Sequence, residues 1–221
     1  MKEIQPGIYR RGDNLYTENA TPGEKVYGEG LYDENGKEFR AWHGNRSKAA
    51  AAVLNGIDLG MESSDEVLYL GASTGTTVSH FSDILSEGFI YAVEYSDTVI
   101  RDLVKLAEKR ENIAPILGDA RNPEDYAEIV QSKVDVVFQD ISQSDQPEIF
   151  LKNAEKYLKK GGIGLFAIKA HSISTSRDEE GVFKEVKDKI SGKFEIVDEA
   201  RLEPYEKNHL FLKMRYRGDE Q

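Results

Sequence analysis

At 221 residues, with 39% hydrophobic and 31% charged side chains, the chain suits one main globular domain with a substantial core, and no run approaches the ~20 apolar residues of a membrane helix. The formal net charge of −11 argues against a protein that grips nucleic acid by a general basic surface, so any nucleic-acid substrate must be brought by something else. With no cysteine and four scattered histidines, disulfides and thiolate metal sites are excluded and no metal is expected.

The first residues, Met1-Lys2-Glu3-Ile4-Gln5-Pro6, lack the apolar core of a signal peptide, and a cytoplasmic location is expected. Residues 1–44 are rich in Gly, Tyr and charge, with short β-prone pieces around Ile8-Tyr9-Arg10, Leu15-Tyr16-Thr17, Lys25-Val26-Tyr27 and Glu38-Phe39-Arg40. Turn signals separate them, Asn35-Gly36 being the strongest hairpin signal. This reads as a small N-terminal antiparallel β module, domain 1–44. Residues 45–221 read as a second domain, opening on a helix over Ser47–Asn55 that is rich in alanine and stops at Asn55-Gly56.

From Glu66 onward, apolar β-type runs alternate with helical patterns, the signature of a parallel sheet covered by helices. Strands are expected at 67–70, 89–93, 113–117, 134–139, 163–168, 194–200 and 210–215, and helices at 78–86, 97–110, 123–131, 146–159 and 180–190. The last two strands are close neighbours with no helix between them. Seven strands with a terminal hairpin point to an α/β, Rossmann-like methyltransferase sheet, its last strand antiparallel, rather than to a dinucleotide dehydrogenase.

Between the first strand and its helix lies Gly71-Ala72-Ser73-Thr74-Gly75-Thr76-Thr77. Glycines there allow close backbone approach to a ligand, and the helix start offers unpaired N–H groups. The G-x-G-x-x-G dinucleotide pattern is absent, and no Gly-Lys-Ser/Thr makes a P-loop. Glu94 ends the second strand 23 positions after Gly71, about where a Rossmann acid meets ribose hydroxyls. Asp119 follows the third strand, Asp140 ends the fourth and Lys169 ends the fifth. Each alone has a bland reading as a turn cap or solvated charge. Together they direct polar groups into one crevice at the carboxyl ends of the strands, where ligands of open α/β sheets collect. A nucleoside-bearing cofactor, with chemistry near Asp140 and Lys169, is the expectation.

At this point the sequence closely resembles the fibrillarin family in its short archaeal form. The stretches that carry the resemblance are Gly44-Asn45-Arg46-Ser47-Lys48-Ala49-Ala50-Ala51, Tyr69-Leu70-Gly71-Ala72-Ser73-Thr74-Gly75-Thr76-Thr77-Val78-Ser79-His80, Tyr91-Ala92-Val93-Glu94-Tyr95, Asp119-Ala120-Arg121-Asn122-Pro123, Asp140-Ile141-Ser142-Gln143-Ser144-Asp145-Gln146 and Glu203-Pro204-Tyr205-Glu206-Lys207-Asn208-His209. The resemblance implies a class I S-adenosylmethionine-dependent 2′-O-methyltransferase acting on ribosomal RNA, and in archaea also on transfer RNA, with targets chosen by C/D-box guide RNA. It implies a cofactor site made by Gly71, Ala72, Ser73, Thr76, Thr77, Glu94, Tyr95, Asp119, Ala120, Asp140, Ile141, Ser142 and Gln143. Glu94 would hold the ribose, Asp119 and Ala120 the adenine, and Asp140 with Gln143 the methionine end. The family's catalytic Lys-Asp-Lys-His set falls on Lys48, Asp140, Lys169 and His209. Two departures stand out: Ser142-Gln143-Ser144 replaces the Ala-Gln-Pro of many relatives, and the Gly-Arg-rich tail of eukaryotic members is missing.

Methyl transfer to a ribose hydroxyl depends on alignment of the oxygen with the methyl carbon and on removal of the hydroxyl proton. Lys169 is the candidate that activates the hydroxyl and Asp140 the group that steers it, with Lys48 and His209 in support. The acidic charge fits a catalytic subunit whose partners hold the RNA, and the resemblance implies a Nop-domain scaffold and a kink-turn-binding subunit. Two other readings share the strand, turn and acid: an NAD-dependent oxidoreductase, disfavoured by the missing middle glycine, and a non-enzymatic Rossmann-like scaffold, disfavoured by the presence of all four catalytic residue types.

Overall fold

The computed structural model of the chain describes residues 1–218. Its N-terminal part is a five-stranded antiparallel sheet of β1 (Lys2–Gln5), β2 (Ile8–Arg11), β3 (Asn14–Glu18), β4 (Leu31–Glu34) and β5 (Lys37–Trp42), in the order β1-β2-β3-β5-β4. The hairpin between β4 and β5 pairs Glu34 with Lys37 across Asn35-Gly36, whose φ values of 54° and 79° suit a tight two-residue turn. Strands β1 and β4 escape sequence patterning because they are short, polar and largely exposed edges. The β-prone piece Lys25-Val26-Tyr27 is not a strand. The Glu29 carboxylate accepts the N–H groups of Val26 and Tyr27, at 3.0 and 2.8 Å, so the donors a ladder needs are used locally.

Next come α1 (Lys48–Leu54) and a seven-stranded sheet with its helices: β6 (Glu66–Leu70), α2 (Thr76–Ile84), β7 (Phe89–Glu94), α3 (Ile100–Ala107), β8 (Ile113–Leu117), β9 (Val134–Gln139), α4 (Gln146–Tyr157), β10 (Leu158–Lys169), α5 (Ala170–Ile173), α6 (Glu179–Ile190), β11 (Phe194–Arg201) and β12 (His209–Tyr216). The order is β11-β12-β10-β9-β6-β7-β8, with β12 antiparallel to both of its neighbours. All seven expected strands form. Ser47 caps α1 by accepting the Ala50 N–H at 3.3 Å. The expected helix over 123–131 is instead a 3-10 turn, Pro123–Tyr126, followed by irregular backbone. Side-chain bonds replace helical ones there: the Tyr126 hydroxyl bonds Asn153, and the Pro123 carbonyl accepts the Tyr157 hydroxyl.

Apolar strands buried on both faces give the large sheet two cores. One gathers Val67, Tyr69, Val136 and Phe138 with α1, α2 and α3, and includes Ile8, Leu15 and Trp42 of the N-terminal sheet. The opposite face packs Leu68, Val137 and Phe166 against α4 and α6. The boundary near residue 44 therefore separates two sheets that share one core.

Where the small sheet meets α2, the interior is charged. Asp83 receives Arg110 on one carboxylate oxygen at 2.6 Å and Arg40 on the other at 3.0 Å, and Arg40 also pairs with Glu29 at 2.8 Å. The Thr17 hydroxyl donates to Asp83 at 2.6 Å. His80 is contacted at its two ring nitrogens by Thr17 and Tyr27, each at 2.8 Å. Burial, reinforced by Arg40 and Arg110, holds its pKa well below the usual value and keeps the ring neutral. Replacing Asp83 with Ala strips the carboxylate from Arg110 and one of two from Arg40 in a site closed to water. We expect a loss of about 3–5 kcal/mol of stability, read by urea unfolding.

Candidate functional site

The turn between β6 and α2 is shaped by a close approach of two strand ends. Gly71 has φ +84°, and a Cβ there would lie 2.3 Å from the Asp140 carbonyl oxygen. The Asp140 N–H in turn donates to the Leu70 carbonyl at 3.0 Å. Only glycine meets both demands. The N–H groups of Gly71 and Ala72 both reach the Val93 carbonyl at 3.0 Å, tying the turn to the end of β7. Ser73 takes a left-handed conformation at φ 52°, and its N–H donates to Glu94 at 2.8 Å. The other Glu94 oxygen accepts the Ser96 N–H at 2.9 Å. The Glu94 carboxyl group is thereby held in place with lone pairs to spare.

A cleft of about 250 Å³ opens at these carboxyl ends. Gly71 and Ser73 line it from the turn, Glu94 and Tyr95 from β7, and Asp119 and Ala120 from the segment after β8. Asp140, Ile141, Ser142 and Gln143 close it from the end of β9. The structure thus brings together residues read as separate strand-end signals. Val93, Arg121 and Ile149 also line the cleft, although the sequence reading gave none of them a role. Three members of the expected set lie outside this lining. Ala72 is packed in the core, Thr77 is buried with its hydroxyl donating to Ser47 at 2.9 Å, and Thr76 lines a neighbouring groove.

At the mouth, Tyr95 is 69% exposed and the Arg121 guanidinium lies 6.0 Å from its ring centre. Arg121 also pairs with Asp119 at 2.8 Å, and these side-chain hydrogen bonds lower the Asp119 pKa from its ordinary value. The adjacent apolar walls, Val93, Ile141 and Ile149, suit a flat ring.

Beside the cleft stand the four residues of the expected catalytic set. Lys48, the first residue of α1, places its ammonium 2.9 Å from Asp140. Lys169 ends β10 directly opposite His209 of β12. Among the described residues the Lys169 side-chain nitrogen makes no hydrogen bond or ion pair. His209 is 5% exposed, with Nδ1 2.7 Å from the Lys207 carbonyl. A carbonyl can only accept, so the proton sits on Nδ1 and Nε2 carries the lone pair. That Nε2 is buried and has no partner among the described residues. Burial lowers the His209 pKa, and nearby Lys48 adds to the effect.

Sequence reasoning gave no role to Gln146, which joins the two halves of the site. It is fully buried. Its amide nitrogen donates to the carbonyls of Gln143 at 2.8 Å and Lys169 at 3.3 Å, while its amide oxygen accepts the Lys169 N–H at 3.2 Å. The cleft loop and the end of β10 are held in register by this one side chain. The available signal was a glutamine beside Pro147 at a helix start, where a buried amide must find backbone partners.

A family model described as Fibrillarin matches residues 2–218. The chain is 46% identical over 217 residues to a fibrillarin-like rRNA/tRNA 2′-O-methyltransferase of Thermococcus sibiricus, covering 95% of this chain and 96% of that protein. It is similar to a fibrillarin solved in a complex with Nop5p, at 42% identity and TM-score 0.91 over 97% of this chain and 100% of the other. It is also similar to Aeropyrum pernix fibrillarin with natively bound S-adenosyl-L-methionine, at 41% identity and TM-score 0.83 over 91% and 88% of the two chains. With the family model matching residues 2–218 and a relative 46% identical over 95% of the chain, the chain belongs to the fibrillarin family.

Proposed function

We propose that this protein is the S-adenosylmethionine-dependent enzyme that methylates ribose 2′-hydroxyls in ribosomal and transfer RNA, as the catalytic subunit of a C/D-box guide particle. The observation that carries this reading is the convergence of Glu94, Asp119 and Asp140 on one cleft, with the Lys48–Asp140 pair at its edge. The donor set fits the cofactor. Glu94, held by two backbone N–H groups, has lone pairs left for two vicinal ribose hydroxyls. Asp119 and Ala120 take the adenine edge, and Asp140 with Gln143 takes the methionine end. Gly71 and Ser73 form the floor, backed by Ala72 from the core, with Ile141 and Ser142 along the wall. Thr76 and Thr77 contribute backbone N–H groups from the first turn of α2. We read residues 1–44 as a β module and residues 45–221 as the methyltransferase domain.

When bound, the cofactor supplies an electrophilic methyl carbon on a sulfonium. The chain supplies alignment and proton removal. Lys169 takes the proton from the ribose hydroxyl, and Asp140 orients the ammonium that results. Lys48 holds Asp140 in place at 2.9 Å. His209, neutral and with its Nε2 lone pair unshared, accepts a hydrogen bond from the ribose or relays the proton. Binding the RNA falls to partners, a Nop-domain scaffold and a kink-turn-binding subunit, because the chain itself carries a formal charge of −11.

A particle reconstituted with guide RNA and both partners is expected to methylate the target at the nucleotide paired to the guide, and not in the guide's absence. In single turnover, Lys169→Ala is expected to slow methylation by about 100-fold or more while cofactor affinity stays at the wild-type value. Turnover near normal would remove Lys169 from the mechanism. Gly71→Ala strains a left-handed backbone and drives a methyl group into the Asp140 carbonyl. It is expected to lower stability by about 1–3 kcal/mol and to weaken S-adenosylmethionine binding in calorimetry. NAD, run beside it on the wild type, is expected not to bind.

A further inference from the structure

A second groove, of about 360 Å³, runs along the outside of the glycine turn. Its walls are the loop from Thr21 to Tyr27, the turn holding Arg46, the start of α2 at Thr74 and Thr76, and the face of α3 that carries Lys105. Five cationic side chains line it against two carboxylates, in a chain whose acids outnumber its bases by 40 to 29. Three of the five are already engaged: Lys105 with Asp102 at 2.9 Å, Lys109 with Glu24 at 2.8 Å, and Arg110 with buried Asp83 at 2.6 Å. Lys25 and Arg46 are exposed and have no carboxylate partner among the described residues. Arg46 rests on the Tyr27 ring, 5.6 Å from its centre. A guanidinium held over a ring in this way keeps N–H groups available to hydrogen-bond a phosphate.

The groove's position limits what it can serve. Arg46 precedes Ser47, the cap of α1, and Lys48 follows with its ammonium on Asp140. Thr76 lines the groove from the turn that floors the cleft. A strand whose reacting sugar sat at Asp140 and Lys169 would carry its backbone past Arg46.

We propose that this groove holds the sugar–phosphate backbone of the target RNA strand beside the nucleotide being methylated, with Arg46 and Lys25 on its phosphates. This rests on the functional reading above. The groove supplies the local grip that positions the target after the partners have delivered it. The Thr74 hydroxyl, which also lines it, adds a neutral contact suited to sugar and phosphate oxygens.

The test uses the full reconstituted particle with Arg46→Gln and, separately, Lys25→Gln. Both side chains are exposed, so the fold does not depend on them. For Arg46→Gln we expect the KM for target RNA to rise about tenfold while kcat, S-adenosylmethionine affinity and co-elution with the scaffold match the wild type. The slope of log KM against log salt is expected to fall by about one, the signature of one lost phosphate contact. Lys25→Gln is expected to shift KM in the same direction by a smaller factor. An unchanged KM and salt slope for both variants overturns the inference. Loss of scaffold co-elution also overturns it, and assigns the groove to a protein partner instead. A wild-type particle that leaves guide-paired RNA unmethylated defeats the functional reading itself, which an active wild type with indifferent variants does not.

Discussion

Asp83 fixes the relative position of three parts of the chain that are distant in sequence. One of its oxygens meets Arg40 of β5 and Thr17 of β3, and the other meets Arg110 beyond α3. A buried charge tolerates neither separation from its partner nor a half-made shell, because the desolvation already incurred can be offset only by close, complete pairing. Apolar contacts alone would let the small sheet slide over α2 at modest cost. The ionic cluster does not. α2 is therefore held at one end by Asp83 and at the other by the Gly71–Thr77 turn, which ties the floor of the cleft to the interior behind it.

At the strand ends, the same economy operates with neutral groups. Gly71 lets β6 and β9 approach until the Asp140 N–H meets the Leu70 carbonyl at 3.0 Å. Ser73 and Ser96 give their N–H groups to Glu94, and Gln146 bridges the loop after β9 to the backbone of Lys169. Backbone donors and one amide thus set the positions of the charged side chains, leaving those side chains free to face a ligand. Two pairs are exceptions, Lys48 with Asp140 across the edge of the cleft and Arg121 with Asp119 at its mouth, each neutralising its own charge.

Much of this was legible in the sequence because the physics there is periodic. Strands buried on both faces read as apolar runs, and all seven of the large sheet were marked by them. Polar residues at their carboxyl ends marked the cleft, since a strand that ends on an acid at the sheet's edge places that acid on the ligand side. What escaped was aperiodic. β1 and β4 are polar edges with no buried face to write a pattern. Residues 123–131 have helical spacing at Tyr126 and Val130, yet hydrogen bonds from distant Asn153 and Tyr157 decide the backbone. Lys25-Val26-Tyr27 has β-prone residues, and one glutamate two positions further on takes its donors. The role of Gln146 was not legible for the same reason: a buried amide is defined by its partners, here backbone groups of Gln143 and Lys169 in two separate segments.

The antiparallel insertion of β12 between β10 and β11 carries a consequence for how the protein is made. Eleven strands leave the ribosome before β12 does, and until it arrives β10 is an open edge with Lys169 at its end and no neighbour opposite. His209 is the first residue of the inserting strand and pairs with Lys169 itself. Lys48, Asp140 and Lys169 are thus all synthesised while the fourth member of the set is still absent. Completion of the proposed reaction centre and closure of the sheet are one event. A nascent or truncated chain lacking β12 would be recognisable by that unpaired edge, exposed to chaperones, before it could take part in any particle.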